Sequence, residues 1–360
     1  MRGDVTRGTV PEVTGGDGDH GGWRGLLAVL LVAGLSGGAA ADEVSPLERY
    51  PGRLVVVGDH ALHIDCSGRA APGQPVVVLE SGIGGFSLEW HAVKAAVARH
   101  HRVCAYDRAG YGWSDPAPGP RSAARSAGEL AALLEAAGEA PPYVLAGHSY
   151  GGLVVREFAA RYAAQVAGLV LVDAATPAQF ERLPAAVLPR TWAAALASGA
   201  RVHSMPRPAD SFPPALSTLG LQLMMLPKAR AAYAAEIRGF EDSARHLAGL
   251  APAALTVPLI VVTRGRGEFD EGAGGDAAER TWRELQGALR SVSLQATQWI
   301  ADGAGHRVHA ERPELVARAL ELVSAGGPTF AAADARAAAR PGGAGVRPPL
   351  ALVSAARARF

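Results

Sequence analysis

The sequence predicts an α/β fold: a mostly parallel sheet with helices on both faces, interrupted by a helical insertion. Between about residues 53 and 173, short runs that are apolar throughout alternate with helical stretches, and after Asp173 this alternation stops for about 80 residues. Strands that are covered on both faces form such continuous apolar runs, and their alternation with helices implies right-handed crossovers. The runs are Val76 to Glu80, Val103 to Tyr106, Tyr143 to Ala146 and Leu169 to Val172.

Two further strands precede this alternating region. Leu54 to Val57 and Leu62 to Cys66 are separated by Gly58-Asp59, a pair of residues typical of a hairpin turn. We therefore expect the sheet to begin antiparallel. Helices are expected between the later strands, near residues 88–99, 122–137 and 151–164.

The second half of the chain divides into an insertion and the remainder of the sheet. Residues 176–252 are rich in proline at their start and then helical, for example over 228–248, without a convincing strand. The sheet resumes at Leu259 to Thr263, with a weaker strand near Ala296 to Ile300, and Pro313 suits the first position of a last helix. This pattern predicts a core of residues 46–175 and 253–324 and a helical cap of residues 176–252.

The two ends differ from the core in composition. Leu26 to Leu35 is an apolar run of ten residues, and a spanning helix needs about 20. Arg24 precedes the run and small residues follow it, an order typical of a secretory signal. We expect residues 1–45 to be a leader with a signal peptide, and the protein to be exported to the periplasm, cell envelope or exterior. Anchoring in a membrane by an uncleaved leader and a cytoplasmic enzyme with a frayed N-terminus are the alternatives. Residues 325–360, mostly Ala, Gly, Pro and Arg, are expected to form a disordered tail.

Charge and cysteine content exclude several classes of function. The 35 Lys and Arg residues against 34 Asp and Glu residues leave a formal net charge of +1, which argues against a nucleic-acid binder. Two cysteines, Cys66 and Cys104, exclude a disulfide-rich scaffold and a zinc site built from cysteines. No set of metal ligands is evident, and no lysine follows the glycine-rich segment at 81–85 in the spacing of a phosphate-binding loop. We expect neither a cofactor nor a metal; the oligomeric state stays open.

The strongest local motif is Gly-His-Ser-Tyr-Gly-Gly at residues 147–152. It lies directly after a predicted strand and directly before a predicted helix. A serine in such a sharp turn needs glycines beside it, because neighbouring Cβ atoms would clash there. Ser149 is therefore the predicted nucleophile.

Together with Asp107 to Pro116, which reads DRAGYGWSDP, this motif resembles the cap-bearing branch of the α/β-hydrolase superfamily. The resemblance covers about residues 53–324. It implies an eight-stranded, mostly parallel sheet, a serine nucleophile, a histidine after the last strand and an acid after strand six or seven. We expect Asp107 and Arg108 to pair with each other within the loop that supports the site.

His306 lies where the resemblance places the catalytic base. A serine hydroxyl is a weak nucleophile and needs such a base. Gly303 and Gly305 give the surrounding loop the freedom to bring the imidazole over the sheet edge. His309 is the fallback base, and His148 is expected to pack beneath the turn.

The third catalytic residue has three candidates. Asp173 ends the strand at 169–172, as an acid after strand six would. After strand seven, Glu268 occupies the place of an acid counted from Gly265, and Asp270 follows it. Any of the three would hold the histidine tautomer and stabilise the imidazolium.

An oxyanion hole needs two backbone donors. The N–H of Tyr150, the residue after the nucleophile, supplies one. The second is expected from Ile83, in the segment Ser81-Gly82-Ile83-Gly84-Gly85. The family usually has His-Gly here, so Ser81 is a departure that puts the support of this loop in doubt.

These residues predict a serine hydrolase that cleaves a small or medium acyl ester, or a related amide, through an acyl-enzyme. Its partner would be a small-molecule acyl substrate; amidase, peptidase and perhydrolase activities use the same serine. The alternative is a catalytically idle module of this fold that binds a hydrophobic ligand or partner. Two structural alternatives stay open. The apolar residues at 221–226 line a pocket or form the core of the cap. Cys66 and Cys104 are joined in a disulfide or remain as two buried thiols.

Overall fold

A computed structural model describes residues 51–184, 187, 212, 214–250, 253–269 and 275–326. The predicted leader at 1–45, almost all of the predicted tail at 325–360, part of the predicted cap and Asp270 lie outside these residues. Within the described ranges, no helix combines the length and the apolar character needed to cross a membrane.

Eight strands form one sheet in the order β1-β2-β4-β3-β5-β6-β7-β8. The strands are β1 Arg53–Val57, β2 His60–Ser67, β3 Val76–Glu80, β4 Val103–Tyr106, β5 Tyr143–His148, β6 Val166–Val172, β7 Leu255–Arg264 and β8 Ser293–Ala301. Strand β2 pairs antiparallel with β1 and with β4, and the remaining pairs are parallel. The prediction of a mostly parallel eight-stranded α/β sheet that begins antiparallel is confirmed.

Helices cover both faces of the sheet. They are α1 His91–Val97, α2 Ala123–Ala136, α3 Gly151–Arg161, α4 Gln179–Arg182, α5 Ser217–Met225, α6 Pro227–Leu250, α7 Gly275–Ala288, α8 Val308–Glu311 and α9 Pro313–Ser324. One apolar core lies between the sheet and helices α2, α3 and α6, and another lies between the sheet and helices α1 and α9. Because both faces are buried, the central strands carry few polar residues, which is why they could be located from sequence.

Helices α4, α5 and α6 fall between β6 and β7, in the stretch where the sequence shows no strand pattern. Helix α7, between β7 and β8, is a helix that the sequence analysis did not predict. Its buried side has only a few apolar side chains, chiefly Ala278, Trp282 and Leu285, among many charged residues. Their spacing of four and then three residues is that of an amphipathic helix, so a usable signal was present in the sequence and was missed.

Cys66 and Cys104 lie directly opposite each other on β2 and β4 and form a disulfide bond. Such bonds persist in oxidising compartments. The described residues include one cluster of potential metal ligands, Cys66, Cys104 and Glu139. Because the two sulfurs are bonded to each other, neither offers a thiolate to a metal ion.

Candidate active site

Ser149 lies in the sharp turn between β5 and α3, where its backbone adopts a left-handed conformation with a φ of 50°. The glycines around it permit close contact between backbone segments. A Cβ atom at Gly151 would lie 2.6 Å from the carbonyl oxygen of Glu80, and one at Gly152 would lie 2.5 Å from the Cβ of Ala174. Since real Cβ atoms do not approach so closely, only glycine permits this turn.

His306 and Asp173 meet at the same edge of the sheet. Asp173 follows β6 with a φ of 40°, and His306 lies in the loop between β8 and α8. The Nδ1 atom of His306 lies 2.6 Å from Oδ2 of Asp173. Glu268 lines the cavity beside His306, but its carboxylate is paired with Arg266 at 3.6 Å. Of the three candidate acids, Asp173 is therefore the one in contact with the imidazole, and Asp270 lies outside the described residues.

The buried carboxylate of Asp173 accepts three further hydrogen bonds. Its donors are the backbone N–H of Arg264 at 3.2 Å, the Arg264 Nη1 atom at 3.0 Å and the Trp282 Nε1 atom at 2.9 Å. Burial by itself opposes ionisation, but the Arg264 guanidinium and the hydrogen bonds outweigh it and lower the pKa of Asp173. Asp173 is thus an ionised acceptor with a fixed orientation toward His306.

Neither Arg264 nor Trp282 was predicted as part of the site. Arg264 ends β7 at the carboxyl edge of the sheet, a position from which a side chain can reach the site, so its place in the sequence was a usable signal. Trp282 lies on α7, which the sequence analysis did not predict. Its contact with Asp173 joins residues 109 positions apart.

His148 packs against both His306 and His309, and it also lines the cavity. The Nε2 atom of His148 donates to the carbonyl oxygen of His306 at 3.0 Å, and its ring contacts that of His309 in a tilted arrangement, with centroids 4.3 Å apart. Burial lowers the pKa of His148 well below its ordinary value. His309, the fallback base, is fully buried against Trp90 and is not part of the cavity wall.

Ile83 and Tyr150 flank Ser149 from two loops. In the described structure, neither backbone N–H donates a hydrogen bond to another protein group. Ile83 lines the same cavity as Ser149 and His306, and Tyr150 directly precedes helix α3. Within the described residues, both N–H groups are thus free of protein acceptors, as an oxyanion donor requires.

The loop that contains Ile83, residues 81–85, is held by Arg108. The Arg108 Nη1 atom donates to the carbonyl oxygen of Ser81 at 2.7 Å, and Nη2 donates to that of Gly82 at 2.8 Å. The Ser81 hydroxyl in turn accepts from the Trp90 indole N–H at 3.0 Å. Although Ser81 departs from the usual His-Gly, the loop is thus well supported.

Asp107 and Arg108 do not pair with each other, contrary to the expectation from sequence. The Asp107 carboxylate lies 2.9 Å from Nδ1 of His63 and accepts the backbone N–H groups of Ser87 and Trp113. Neighbouring side chains diverge at this turn, so Asp107 organises its own loop while Arg108 binds the loop at 81–85.

A mostly apolar cavity of about 580 Å³ opens over Ser149 and His306. Leu221, Met224 and Met225 of helix α5 line it, whereas Leu223 packs in a core cluster with aromatic side chains. The apolar residues at 221–226 therefore serve both purposes that the sequence left open.

Comparisons with known proteins found one matching family model and several relatives that are similar over part of their length. A family model described as "alpha/beta hydrolase fold" matches residues 75–251. The protein "Probable transporter efuK" of Hormonema carpetanum is 38% identical over 136 residues, which are 36% of this chain and 20% of that protein. "Putative carbamate hydrolase RutD" of Klebsiella pneumoniae subsp. pneumoniae is 40% identical over 103 residues, 28% of this chain and 38% of that protein. The chain thus matches less than half the length of either relative.

Among solved structures, Cfl2 wild-type from Burkholderia cenocepacia is similar with a TM-score of 0.57 and 26% identity. The similarity covers 75% of this chain and 93% of Cfl2. The likeness extends over most of the described core and supports the fold assignment.

Proposed function

Because this chain belongs to the α/β-hydrolase superfamily, we propose that it is a serine hydrolase of the cap-bearing branch. Its substrate is a small or medium acyl ester or a related amide. The observation that carries this proposal is the contact between His306 Nδ1 and the ionised Asp173, at a cavity that also contains Ser149. The similarity to a protein named as a carbamate hydrolase supports a carbonyl substrate.

The proton transfer follows from the orientation of the imidazole. The Asp173 carboxylate accepts a hydrogen bond from Nδ1 of His306, which leaves Nε2 to take the proton of the Ser149 hydroxyl. As the serine oxygen attacks the substrate carbonyl, His306 becomes positively charged, and the carboxylate of Asp173 stabilises that charge. In the next step His306 returns the proton to the leaving group.

The oxyanion that develops on the substrate is bound by backbone donors. The N–H groups of Ile83 and Tyr150 fill this role, and Tyr150 precedes helix α3, whose N-terminal dipole end favours negative charge. The resulting acyl-enzyme is hydrolysed by water through the same residues. Each donor of this kind contributes about 10²- to 10³-fold to kcat.

The cavity supports an apolar acyl group as the preferred substrate part. Its volume of about 580 Å³ lies within the range of small-molecule pockets, about 300–1,000 Å³. Methionine and leucine side chains of helix α5 form one wall, so a flexible aliphatic chain can be accommodated without loss of hydrogen bonds.

Labelling with a fluorophosphonate probe tests the proposal. Wild-type protein should be labelled, and Ser149→Ala should lose all labelling and about 10⁶-fold in kcat toward p-nitrophenyl butyrate, roughly 8 kcal/mol of barrier. Ser291→Ala, at an exposed serine, is the control and should behave as wild type. Correctly folded wild type that is neither labelled nor active would instead favour a ligand-binding module of this fold.

A further inference from the structure

We propose that Glu236, on the inserted helix α6, is a positioning residue for the oxyanion loop, residues 81–85. This inference rests on the proposed serine-hydrolase function. Glu236 is fully buried and reaches the loop through two intermediate side chains, Arg108 and Tyr111. It contacts no reacting atom, and its effect on catalysis is exerted through the Ile83 N–H.

The first connection runs through the guanidinium of Arg108. Its Nε atom donates to Glu236 Oε1 at 2.7 Å and its Nη2 atom to Glu236 Oε2 at 2.9 Å. The remaining N–H groups donate to Glu80 Oε1 and to the carbonyl oxygens of Ser81 and Gly82. All five donors of the planar group are used. The bidentate pair with Glu236 therefore fixes the plane in which Arg108 holds the two loop carbonyls.

The second connection runs through the phenol of Tyr111. Its hydroxyl donates to Glu236 Oε2 at 2.8 Å and accepts the backbone N–H of Gly84 at 3.2 Å. One carboxylate thus anchors the side chains that bind the loop on both sides of Ile83. Because the peptide planes before and after Ile83 are held, the direction of its N–H is held as well.

The surroundings make this arrangement sensitive to the charge of Glu236. Arg108, Glu80 and Glu236 are all fully buried, so the attraction between them is little screened by solvent. Burial opposes a charged guanidinium, but the two carboxylates outweigh this and raise the pKa of Arg108. Without the Glu236 charge, Arg108 would shift toward Glu80 and take the loop carbonyls with it.

A residue that merely fastened helix α6 to the core would affect all substrates alike. A residue that orients an oxyanion donor affects substrates in proportion to how strongly their oxyanion uses that donor. Oxygen and sulfur analogues of one ester separate these cases, because the developing thiolate of a thionoester is a weak hydrogen-bond acceptor.

The experiment compares p-nitrophenyl butyrate with its thiono analogue in wild type and Glu236→Gln. Glutamine keeps the shape of the side chain but loses the charge and one of the two acceptors. We expect kcat for the oxygen ester to fall about 10- to 100-fold, less than the loss of a whole donor, with KM within about twofold of wild type. The thionoester should change much less, so that the ratio of the two rates falls.

Glu129→Gln is the matched control. Glu129 pairs with Arg121 and Arg125 and has no contact with the loop, so its loss should leave the ratio of the two rates unchanged. Thermal unfolding of each variant separates a loss of stability from a loss of rate. Should Glu236→Gln fail to fold, Tyr111→Phe replaces it, and a smaller fall in the same ratio is expected.

Folded Glu236→Gln with wild-type kcat, or with equal losses on both esters, would overturn the positioning role and leave the serine mechanism intact. If Tyr111→Phe is the variant used, wild-type kcat or equal losses on both esters would likewise overturn the positioning role. A wild type that neither turns over the ester nor reacts with a fluorophosphonate would overturn the proposed function, and this inference with it.

Discussion

Acid should destabilise this fold through a fully buried histidine, His309. The His309 ring packs against Trp90 and His148, with centroid separations of 4.6 and 4.3 Å. Neither of its ring nitrogens has a hydrogen-bond partner among the described residues. Burial, together with the neighbouring His306 and Arg307, lowers the pKa of His309 from its ordinary value to about 3. The folded protein therefore keeps this side chain neutral in mild acid, whereas the unfolded chain protonates it.

The size of the effect follows from proton linkage. The unfolded histidine has an ordinary pKa of about 6.5, so His309 costs no stability well above that pH. As the pH falls from 6.5 toward 3, the unfolded state gains up to about 1.36 kcal/mol per pH unit from the extra proton. At pH 5 the loss from His309 is about 2 kcal/mol relative to pH 8.

Urea unfolding of wild type and His309→Phe at pH 8 and pH 5 measures this loss. Phenylalanine keeps the aromatic contacts and does not titrate, so the variant should lose about 2 kcal/mol less stability than wild type between the two pH values. The pKa of His148 is lowered by burial and by its histidine neighbours, so the variant should retain part of the acid sensitivity. His91→Phe, at an exposed position on helix α1, is the control and should leave the wild-type loss in place.

A His309→Phe protein that is folded at pH 8 and loses as much stability as wild type at pH 5 would contradict this prediction. It would show that the buried imidazole takes up its proton in the folded state, and that another group causes the acid sensitivity.

Two further predictions concern the acid and the turn that holds the nucleophile. Asp173→Asn should lower kcat toward p-nitrophenyl butyrate by about 10⁴-fold, because an amide no longer holds His306 in the reactive tautomer. An unchanged kcat would show that Asp173 is not the catalytic acid and would point to another residue such as Glu268. Gly151→Ala should destabilise the protein by about 1–3 kcal/mol, since the new Cβ would lie 2.6 Å from the Glu80 carbonyl oxygen. Gly128→Ala, in open space within helix α2, should instead stabilise it by about 0.5–1 kcal/mol. Equal melting temperatures for these two glycine variants would contradict the packing argument.

The strands and the nucleophile turn could be predicted because their signals are local. A strand buried on both faces needs several consecutive apolar residues, and the run at 76–80 meets that need within five positions. Likewise the turn at Ser149 needs glycines within three residues of it, and Gly147, Gly151 and Gly152 are all there. The position of His306 after the last strand followed from the resemblance to the family.

The acid could not be chosen from sequence, because the choice depends on which strand ends lie side by side. Asp173 and Glu268 follow strands β6 and β7, which are neighbours in the sheet, so both carboxylates are close to the site in space. What distinguishes them is the set of donors around each. Asp173 is surrounded by Arg264, Trp282 and His306, whereas Glu268 pairs with Arg266.

The individual strands, the stretch that interrupts them and the turn that exposes Ser149 could be located from sequence alone, since each of these features depends on neighbours along the chain. The contact of His306 with Asp173, and the pairing of Arg108 with Glu236 rather than with Asp107, depend on how the folded chain brings distant residues together. Arg108 and Glu236 are 128 positions apart, and nothing local to either residue specifies the other. Their pairing arises because a buried guanidinium has to satisfy five donors with whichever acceptors the packed helices and loops bring within reach.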